Sequence, residues 1–450
     1  MRRKQPFFSL RALMNGVDVY GKAGVSPHMG AAGSAPTKDR STPILMRALI
    51  VVCAAILGMT PLSVTMSVEA NGGSPTEVLM NGNTAFALDL YGELREQEGN
   101  LFFSPYSIST ALAMTYAGAR GNTERQMAQV LHFTLPQDQL HPAFASMEAA
   151  LKAIQKKGKV ELRVANALWP QKDYVFLKEF LALTEKYYGS AITPLDYKTA
   201  HEAARRTINA WVERKTNRKI KDLIPEGVLD ALTRLVLTNA IYFKGNWATQ
   251  FDKNLTEDAP FHLLSGKTVE APFMHQEQVC GYAEFEGLQV LELPYVGDDL
   301  STVVLLPREV DGLTELEDGL TMENLEKWTK QLREEKVSIF LPKFTMTSQF
   351  QLEKTLGSMG MPDAFSSNAD FSGMDGTKNL FISAVIHKAF VAVDEEGTEA
   401  AAATGVVISL TAAPRPTPVF RADHPFVFVI RDNVSGSILF IGRVVDPTAK

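Results

Sequence analysis

Cysteine is scarce in this sequence. The 450 residues include two cysteines, Cys53 and Cys280, and Cys53 falls in an N-terminal apolar stretch that we expect to be removed. A single remaining cysteine cannot form an internal disulfide, so the fold must depend on a large hydrophobic core. We expect Cys280 to be a small buried apolar residue, because no neighbouring cation in the sequence would activate its thiol.

A basic surplus is also missing. The chain has 45 Lys and Arg against 51 Asp and Glu, for a net charge of -6, which argues against a nucleic-acid-binding protein. Two local basic clusters occur, Lys152, Lys156, Lys157 and Lys159, and Arg214, Lys215, Arg218, Lys219 and Lys221. Acidic residues are interspersed in both clusters, so the pattern favours a solvated face over a polyanion site.

Catalytic motifs are absent as well. The sequence contains no G-x-S-x-G elbow, no P-loop and no G-x-G-x-x-G. His201-Glu202 comes nearest to the metalloprotease motif H-E-x-x-H, but Arg205 stands where the second histidine is needed. The eight histidines are scattered without metal-ligand spacing. We therefore expect no enzyme, no metal and no cofactor.

The first 70 residues differ from the rest. Residues 1–45 show no helical or strand periodicity and are expected to be unstructured or not translated. Residues 46–70 then follow the layout of a secretory signal peptide, with Arg47, an apolar core from Ala48 to Met59 and Ala70 at a cleavage site. This pattern predicts a secreted or extracytoplasmic protein, with an N-terminal membrane anchor at 46–70 as the alternative.

From residue 77 onward helical and strand patterns follow each other without a repeat or a linker, which predicts a single domain over 77–447. Helices come early and strands late, so the fold class is α+β and not a doubly wound parallel sheet. Helices are predicted at Asn83–Arg95, from Ser104-Pro105 onward, and at Phe144–Lys156, Ala203–Thr216 and Met322–Glu335. Strands are predicted at Arg234–Phe243, Gln289–Tyr295, Thr302–Leu306, Val337–Phe344, Ala384–Val393, Phe426–Arg431 and Ile438–Val445.

The stretch EEGTEAAAATGVVISLTAAPRPTP, from Glu395 to Pro418, fits neither helix nor strand cleanly. Read as a strand, one face carries small or apolar uncharged side chains from Thr398 to Leu410. Gly397, Gly405 and the later prolines keep the segment from being stable as an ordinary strand or helix. Such a segment suits two states, an exposed loop and an inserted strand.

Between Glu77 and Pro447 the sequence resembles the serpins. The resemblance rests on NLFFSPYSISTALAMTYAGARGNTERQM (Asn100–Met127), INAWVERKTNRKIKDLI (Ile208–Ile224), TNAIYFKGNW (Thr238–Trp247), IHKAFVAVDEEGTEAAAAT (Ile386–Thr404) and FRADHPFVFVIRDNVSGSILFIGRVVDP (Phe420–Pro447). It implies three β-sheets, A, B and C, with eight to nine helices and an exposed reactive-centre loop at about 395–419.

The resemblance implies a suicide inhibitor of serine proteases, with cysteine proteases as a second target class, and we place it with the bacterial-like, inhibitory members. The target protease would cut the loop, form a covalent acyl-enzyme, and be displaced as the loop inserts into sheet A. We expect the inhibitor itself to be a monomer. The alternative is a non-inhibitory carrier or chaperone of the same fold. The matching hinge residues, small where insertion begins, favour inhibition: Glu395, Glu396, Gly397, Thr398, Glu399, Ala400, Ala401, Ala402, Ala403 and Thr404.

The scissile bond follows from the family's spacing, about fourteen positions after the hinge glycine. From Gly397 this gives Thr411, with Ala412 after it, and a register one residue shorter, Leu410–Thr411, stays open. A small or medium apolar residue there suits elastase-, subtilisin- or chymotrypsin-like proteases. Arg415 would suit a trypsin-like protease, but the proline that follows it resists attack.

Four further residues match the family's shutter, a hydrogen-bonded cluster beneath sheet A that must part on insertion. They are Ser104, Ser107, Asn239 and His387. His387 alone would be interpreted as a core histidine with satisfied hydrogen bonds, and this agrees with a buried polar network.

Overall fold

Most helices precede most strands along the chain, which agrees with the segregation of helices from strands in an α+β fold. The computed structural model describes residues 73–157, 160–190, 192–398 and 416–449. The helices in this part are α1 Pro75–Leu94, α2 Pro105–Tyr116, α3 Gly121–Val130, α4 Gln137–Lys157, α5 Lys178–Tyr188, α6 Tyr197–Lys215, α7 Leu313–Asp318, α8 Met322–Lys330, α9 Glu353–Met359 and α10 Ser372–Asp375. The strands are β1 Leu101–Phe103, β2 Val160–Pro170, β3 Leu235–Asn246, β4 Glu257–His262, β5 Thr268–Glu284, β6 Leu288–Pro294, β7 Leu300–Pro307, β8 Arg333–Pro342, β9 Phe344–Gln351, β10 Ala384–Val393, β11 Gly397–Thr398, β12 Val419–Arg421, β13 Phe426–Asp432 and β14 Ile438–Val444.

The larger sheet has nine strands in the order β1-β14-β13-β7-β6-β5-β8-β12, with β4 paired to β5. Strand β5 is 17 residues long, and it pairs with β6 near its end and with β8 and β4 along the rest. Because β5 pairs with all three of these strands, the sheet is continuous. Two of the three sheets that the sequence implied are therefore joined by hydrogen bonds. Strands β7 and β14 are buried along their whole length, which agrees with their mostly apolar sequences.

The smaller sheet has five strands and is the one that positions the functional site. Strand β3 pairs with β2 on one edge, antiparallel over eleven residue pairs. On its other edge it pairs with β10, in parallel, and β10 pairs with β9. Nearly every residue of β3 is buried, because both faces of this sheet are covered.

Alternate residues of β3 enter two different hydrophobic clusters. Leu237 and Ile241 belong to the main core, which contains the apolar residues of α1 and α2. Val236 and Ala240 belong to a second cluster on the opposite face, which contains Ile208 and other residues of α6. The smaller sheet therefore lies between two apolar layers.

Most predicted elements are present, with shifted ends. Helix α1 begins at Pro75, before its predicted start, because Ser74 and Glu77 form a capping box. The predicted helix Met322–Glu335 is wrong in its last part, since α8 ends at Lys330 and β8 begins at Arg333. Ten α-helices occur in the described part, where the resemblance implied eight to nine. The shortest, α10, has four residues and shows no periodicity.

The stretches 1–45 and 46–70 lie outside the described residues, and no helix that the structure describes is long and apolar enough to cross a membrane. Cys280 is buried on β5. Burial, followed by the charge of Glu292, raises the pKa of its thiol to about 12, which leaves it unreactive at neutral pH.

Candidate functional site

The site centres on the seam between β3 and β10. Seven residue pairs join these strands in parallel, from Ala384 opposite Val236 to Phe390 opposite Tyr242. No other strand lies between them in the described part of the chain. The sheet is therefore in its closed form, and any added central strand would have to separate this seam.

The start of the predicted hinge lies at the open end of the seam. Gly397 and Thr398 form β11, antiparallel to the last residues of β3, opposite Asn246 and Gly245. Strand β2 already occupies the opposite edge of β3 as far as Gly245. Strand β11 must therefore lie on the same edge as β10, just beyond the point where β10 leaves β3. A longer β11 would run directly into the seam.

A tight turn reverses the chain between β10 and β11. The backbone amide of Asp394 donates to the carbonyl of Gly397 at 2.9 Å, and the amide of Gly397 donates back at 3.1 Å. Gly397 has a φ of +140°, and a Cβ there would lie 2.2 Å from the carbonyl oxygen of Gly245. Both the turn and the close approach to β3 therefore require glycine.

An ion pair fixes the chain just before the turn. The Glu395 carboxylate accepts hydrogen bonds from Lys343 Nζ at 2.8 and 2.9 Å and from Thr256 Oγ1 at 2.8 Å. Its side chain is 5% exposed. Burial by itself would raise the pKa of Glu395, but the bonds from Lys343, the backbone and Thr256 outweigh it and lower the pKa.

The neighbouring Glu396 is bound by residues at the surface. Its carboxylate pairs with Lys253, whose side chain is 63% exposed. Its backbone carbonyl accepts from the amide of Trp247 at 3.1 Å and from Gln250 Nε2 at 3.2 Å. These contacts join the hinge to the segment that follows β3.

Thr398 is the last hinge residue that the structure describes, and it is buried. Its hydroxyl lies 3.0 Å from the hydroxyl of Tyr295, which in turn lies 2.7 Å from Thr302 Oγ1. Tyr295 stacks on Trp247 with ring centroids 4.8 Å apart. A short side chain with a hydroxyl group therefore fits at position 398, next to the stacked rings of Tyr295 and Trp247. Glu399, Ala400, Ala401, Ala402, Ala403 and Thr404 lie outside the described residues.

The four predicted shutter residues form one buried network beneath the seam. Asn239 on β3 and His387 on β10 are opposite each other and share a hydrogen bond between Asn239 Oδ1 and His387 Nδ1. Asn239 Nδ2 donates to Ser107 Oγ at 2.5 Å. The amide of Ser107 donates to Ser104 Oγ at 3.2 Å, and Ser104 Oγ donates to the carbonyl of Leu439 at 2.7 Å. The network therefore connects both sides of the seam to α2 and β14.

The protonation of His387 follows from its partners. Its Nε2 accepts from the backbone amide of Ser104 at 3.2 Å, so Nδ1 must carry the proton and donate to Asn239. The side chain is fully buried, and burial lowers its pKa to about 3. His387 is neutral at physiological pH, and a second proton would break the bond to Ser104.

The predicted scissile residues Thr411 and Ala412, the alternative Leu410, and Arg415 all lie outside the described residues. The structure describes the chain again from Pro416, and the segment that follows pairs with the larger sheet. Strand β12 pairs in parallel with β8, and the amide of Ser338 donates to the carbonyl of Pro418 at 2.9 Å. The loop therefore spans from the smaller sheet to the larger one.

Several basic residues of the two clusters have local partners. Lys152 pairs with Glu148 at 2.7 Å, and Lys157 lies 3.6 Å from Asp299. Lys219 lies over the rings of Tyr242 and Phe390. These contacts agree with the solvated face that the sequence favoured.

Sequence reasoning missed some residues of the site. Asn166 on β2 joins the shutter network through Asn239 Nδ2 and Ser107 Oγ. Lys343, Thr256 and Tyr295 contact the hinge from segments distant in sequence. Within the sequence alone, an isolated lysine or threonine carries no signal for such a contact, because the contact exists only once the sheets have packed.

Comparisons with known proteins give the family. The family model described as Serpin (serine protease inhibitor) matches residues 81–447. Leukocyte elastase inhibitor from Sus scrofa is 47% identical over 382 residues, which cover 82% of this chain and 100% of the relative. The Homo sapiens protein of the same name is 45% identical over 383 residues, with the same coverage. Serpin B3 from Homo sapiens is 42% identical over 392 residues, which cover 82% of this chain and 99% of the relative.

These relatives correct two predictions. They are mammalian proteins, so the expected bacterial-like type is not supported. The prediction of a secreted protein with a signal peptide at 46–70 is contradicted, because leukocyte elastase inhibitors and their serpin B relatives are intracellular and lack signal peptides. An arginine before an apolar run satisfied the signal-peptide pattern, but hydrophobicity alone does not distinguish an export signal from other apolar stretches.

Solved structures show the same fold. Uncleaved ovalbumin superposes with a TM-score of 0.72 at 30% identity, covering 83% of this chain and 100% of ovalbumin. Arabidopsis AtSerpin1, described as in its native stressed conformation, gives a TM-score of 0.75 at 33% identity, covering 84% of this chain and 100% of that protein. The closed seam, the hinge at its open end and the matched family model lead to one conclusion: the chain belongs to the serpin family of serine protease inhibitors.

Proposed function

We propose that the protein inhibits elastase-like serine proteases as a suicide substrate and traps them by inserting its cut loop between β3 and β10. The observation that carries the proposal is the position of Gly397 and Thr398 on the seam edge of β3. The names of the leukocyte elastase inhibitors, at 45–47% identity, support an elastase-like target. The protein itself acts as a monomer and has no catalytic role.

The covalent step occurs at the predicted bond. The serine hydroxyl of the protease attacks the carbonyl carbon of Thr411, the amine of Ala412 leaves with a proton, and Thr411 remains as an ester on the protease. The segment from Thr398 to Thr411 can then extend β11 along β3. At about 3.3 Å per residue it would reach roughly 46 Å, which carries the attached protease to the other end of the sheet.

Insertion exchanges one set of contacts for a larger one. The seven β3–β10 pairs are replaced by pairs on both sides of the new strand, and its uncharged face enters the core. The small side chains of Ala400 and Ala402 fit beneath the sheet without overpacking. The closed form described above is therefore the less stable one, and cutting the loop releases it.

A non-inhibitory carrier role is the weaker candidate. The fold alone does not decide, because thyroxine-binding globulin, solved with thyroxine, superposes with a TM-score of 0.76 at 32% identity, covering 84% of this chain and 100% of that protein. The composition of the hinge favours inhibition. From Gly397 to Thr404 it contains no proline and no bulky apolar residue.

The position of the bond can be measured directly. After incubation with pancreatic elastase we expect, on denaturation in SDS, a stable complex and a separated peptide whose N-terminus is Ala412. Thr411→Arg should transfer inhibition to trypsin, since the residue before the bond fills the primary pocket of the protease. Arg415→Ala is the matched control and should inhibit elastase like the wild type. A new N-terminus at Pro416 would overturn the assignment.

The hinge can be tested by burying a charge. Thr398→Arg places a guanidinium over Tyr295; the two-residue β11 can leave the sheet of the closed molecule to solvate it, whereas an inserted strand must bury it, so insertion should slow while the cutting of the loop continues. We expect the fraction of elastase in SDS-stable complex to fall at least tenfold, with the loop cleaved as a substrate. Thr417→Arg makes the same change beyond the bond and should leave complex formation intact. Equal complex yields from the two variants would contradict the insertion mechanism.

The ion pair of Glu395 should stabilise the closed form. Lys343→Met leaves a buried carboxylate without its cation, and we expect a loss of about 1–3 kcal/mol, discounted for the partial exposure of Lys343. Lys253→Met removes the exposed partner of Glu396 and should cost much less. Thermal midpoints of the uncleaved variants measure the difference. A larger loss from Lys253→Met would show that the buried pair is not the one that holds the hinge.

Acid should weaken the closed form through His387. Its folded pKa of about 3 lies below the ordinary value of 6.5, so between these values the unfolded chain binds a proton that the native chain excludes. Native stability therefore falls as pH drops from about 6.5 towards 3, by about 1.4 kcal/mol per pH unit for one such histidine. His387→Gln should flatten the dependence of the thermal midpoint on pH between 7 and 5.

The control for this experiment is His201→Gln, which makes the same substitution at a partly exposed position on α6 and measures the effect of the substitution itself. Some slope will remain in His387→Gln, because burial also lowers the pKa of His141 to about 4. An unchanged slope in His387→Gln would show that His387 titrates alike in the folded and unfolded chains.

A further inference from the structure

A cleft of about 730 Å³ opens where four parts of the chain meet: the segment after α1, helix α7, the turn between β4 and β5, and the end of β14. None of the residues that line it belongs to the hinge, the shutter network or the β3–β10 seam. The inhibition proposed above therefore does not use it. We call it the α1–α7 cleft.

Part of the wall of this cleft is apolar. Leu313 on α7 is buried, and Leu263 and Val445 are partly exposed. Leu264, in the turn after β4, is 53% exposed. Apolar side chains that line one open cleft are typical of a surface that binds a ligand.

A buried carboxylate also lines the cleft. The side chain of Glu317 on α7 is 7% exposed. Its Oε1 accepts hydrogen bonds from the Tyr91 hydroxyl at 2.7 Å and from Arg443 Nη1 at 3.0 Å. Among the described residues, none donates a hydrogen bond to its Oε2. A largely buried carboxylate oxygen without a donor is an acceptor that a ligand can satisfy.

Arg443 cannot supply the missing bond. Its Nε donates to the carbonyl of Gly99 at 3.1 Å, and its Nη2 donates to the carbonyl of Gln97. The guanidinium would have to break both bonds in order to turn towards Oε2 of Glu317. The ion pair is therefore made through one oxygen of the carboxylate, and the second oxygen stays open.

The charge around the cleft is negative. Both of its cations have partners, since Arg95 pairs with Asp318 at 2.7 Å and Arg443 pairs with Glu317. Three further carboxylates line the cleft and make no ion pair among the residues that the structure describes, those of Glu96, Glu98 and Asp446. A cation that approaches the cleft is therefore attracted, and an anion is repelled.

We propose that the α1–α7 cleft binds a small primary amine whose ammonium group is joined to an apolar body. The ammonium donates to Oε2 of Glu317, and the apolar body covers Leu264 and Leu313. An ammonium fits better than a guanidinium, because one oxygen of Glu317 is open and a guanidinium bonds best to two. The volume of about 730 Å³ is within the range of pockets that take small ligands.

The probe is dansylcadaverine, a primary amine joined by an alkyl chain to a fluorescent aromatic sulfonamide. Its N-acetyl derivative has the same body without the charge and is the matched control. Both are titrated into the uncleaved protein and followed by dansyl fluorescence. We expect saturable binding of the amine, at least tenfold tighter than binding of the acetylated compound. Equal affinities, or no saturable binding of the amine, would overturn the proposal.

A competition experiment tests the contact with Glu317. Hexylamine and hexylguanidine have the same alkyl chain and the same charge, and each is used to displace bound dansylcadaverine. We expect hexylamine to compete at least threefold more strongly, because its ammonium needs one acceptor oxygen. Equal competition by the two compounds would contradict the proposed bond to Oε2.

Two neighbouring carboxylates locate the site. Glu317→Gln keeps the shape of the side chain and removes its charge, so binding of dansylcadaverine should weaken at least tenfold. Asp318→Asn makes the same change at the next residue, whose side chain is 61% exposed and does not line the cleft. It should alter the affinity less than threefold. Similar losses in both variants would mean that overall charge, and not Glu317, governs binding.

A steric variant provides an independent check. Thr314→Trp adds an indole at an exposed position of α7 that lines the cleft, and it should abolish saturable binding while the thermal midpoint stays near that of the wild type. Retained binding in this variant would place the probe at another site. If Glu317→Gln does not fold, because Arg443 loses its charged partner, Thr314→Trp still decides the proposal.

Discussion

The parallel pairing of β3 with β10 is the constraint on which the other features of the site depend. A strand inside a sheet is stabilised by hydrogen bonds on both of its edges. Here seven residue pairs join β3 to β10, and the neutral, buried His387 lies beneath them. His387 connects the two strands through Asn239 and connects the sheet to α2 through Ser104. These bonds join both strands of the seam to α2, so the two strands can separate only if the network is broken.

The hinge residues Gly397 and Thr398 pair with the same edge of β3 that β10 occupies. Its turn places Gly397 against the backbone of β3 at a distance that allows no side chain, and Glu395 and Glu396 fix the approach with one buried and one exposed ion pair. If the loop inserts as proposed, Gly397 and Thr398 already occupy the first positions of the added strand in the closed molecule, and the β3–β10 seam opposes the rest. Both β10 and β11 pair with the same edge of β3. A change from one pairing to the other can therefore occur without reorganising the rest of the core.

The hydrogen-bonded network beneath the seam agrees with the sequence prediction more fully than the surrounding strands do. The four shutter residues could be named because the resemblance marked them as one cluster, and hydrogen bonds link them in the structure. Strands β2 and β5 were missed, since both mix charged or polar residues with apolar ones and show no regular alternation. Lys343 and Thr256 could not be found, because their role arises only from tertiary packing. The prediction of a signal peptide at 46–70 was wrong. It relied on a short local pattern, and the related leukocyte elastase inhibitors lack signal peptides.

Strands β13 and β14 have a further consequence for the molecule after cleavage. If the loop is cut at the bond proposed above, after Thr411, residues 412–450 become a separate polypeptide, and no disulfide among the described residues joins it to the remainder. Yet β13 and β14 lie in the interior of the nine-stranded sheet, between β7 and β1, and are almost wholly buried. The cut protein would therefore persist as a two-chain complex, assembled by the same contacts that previously belonged to a single fold.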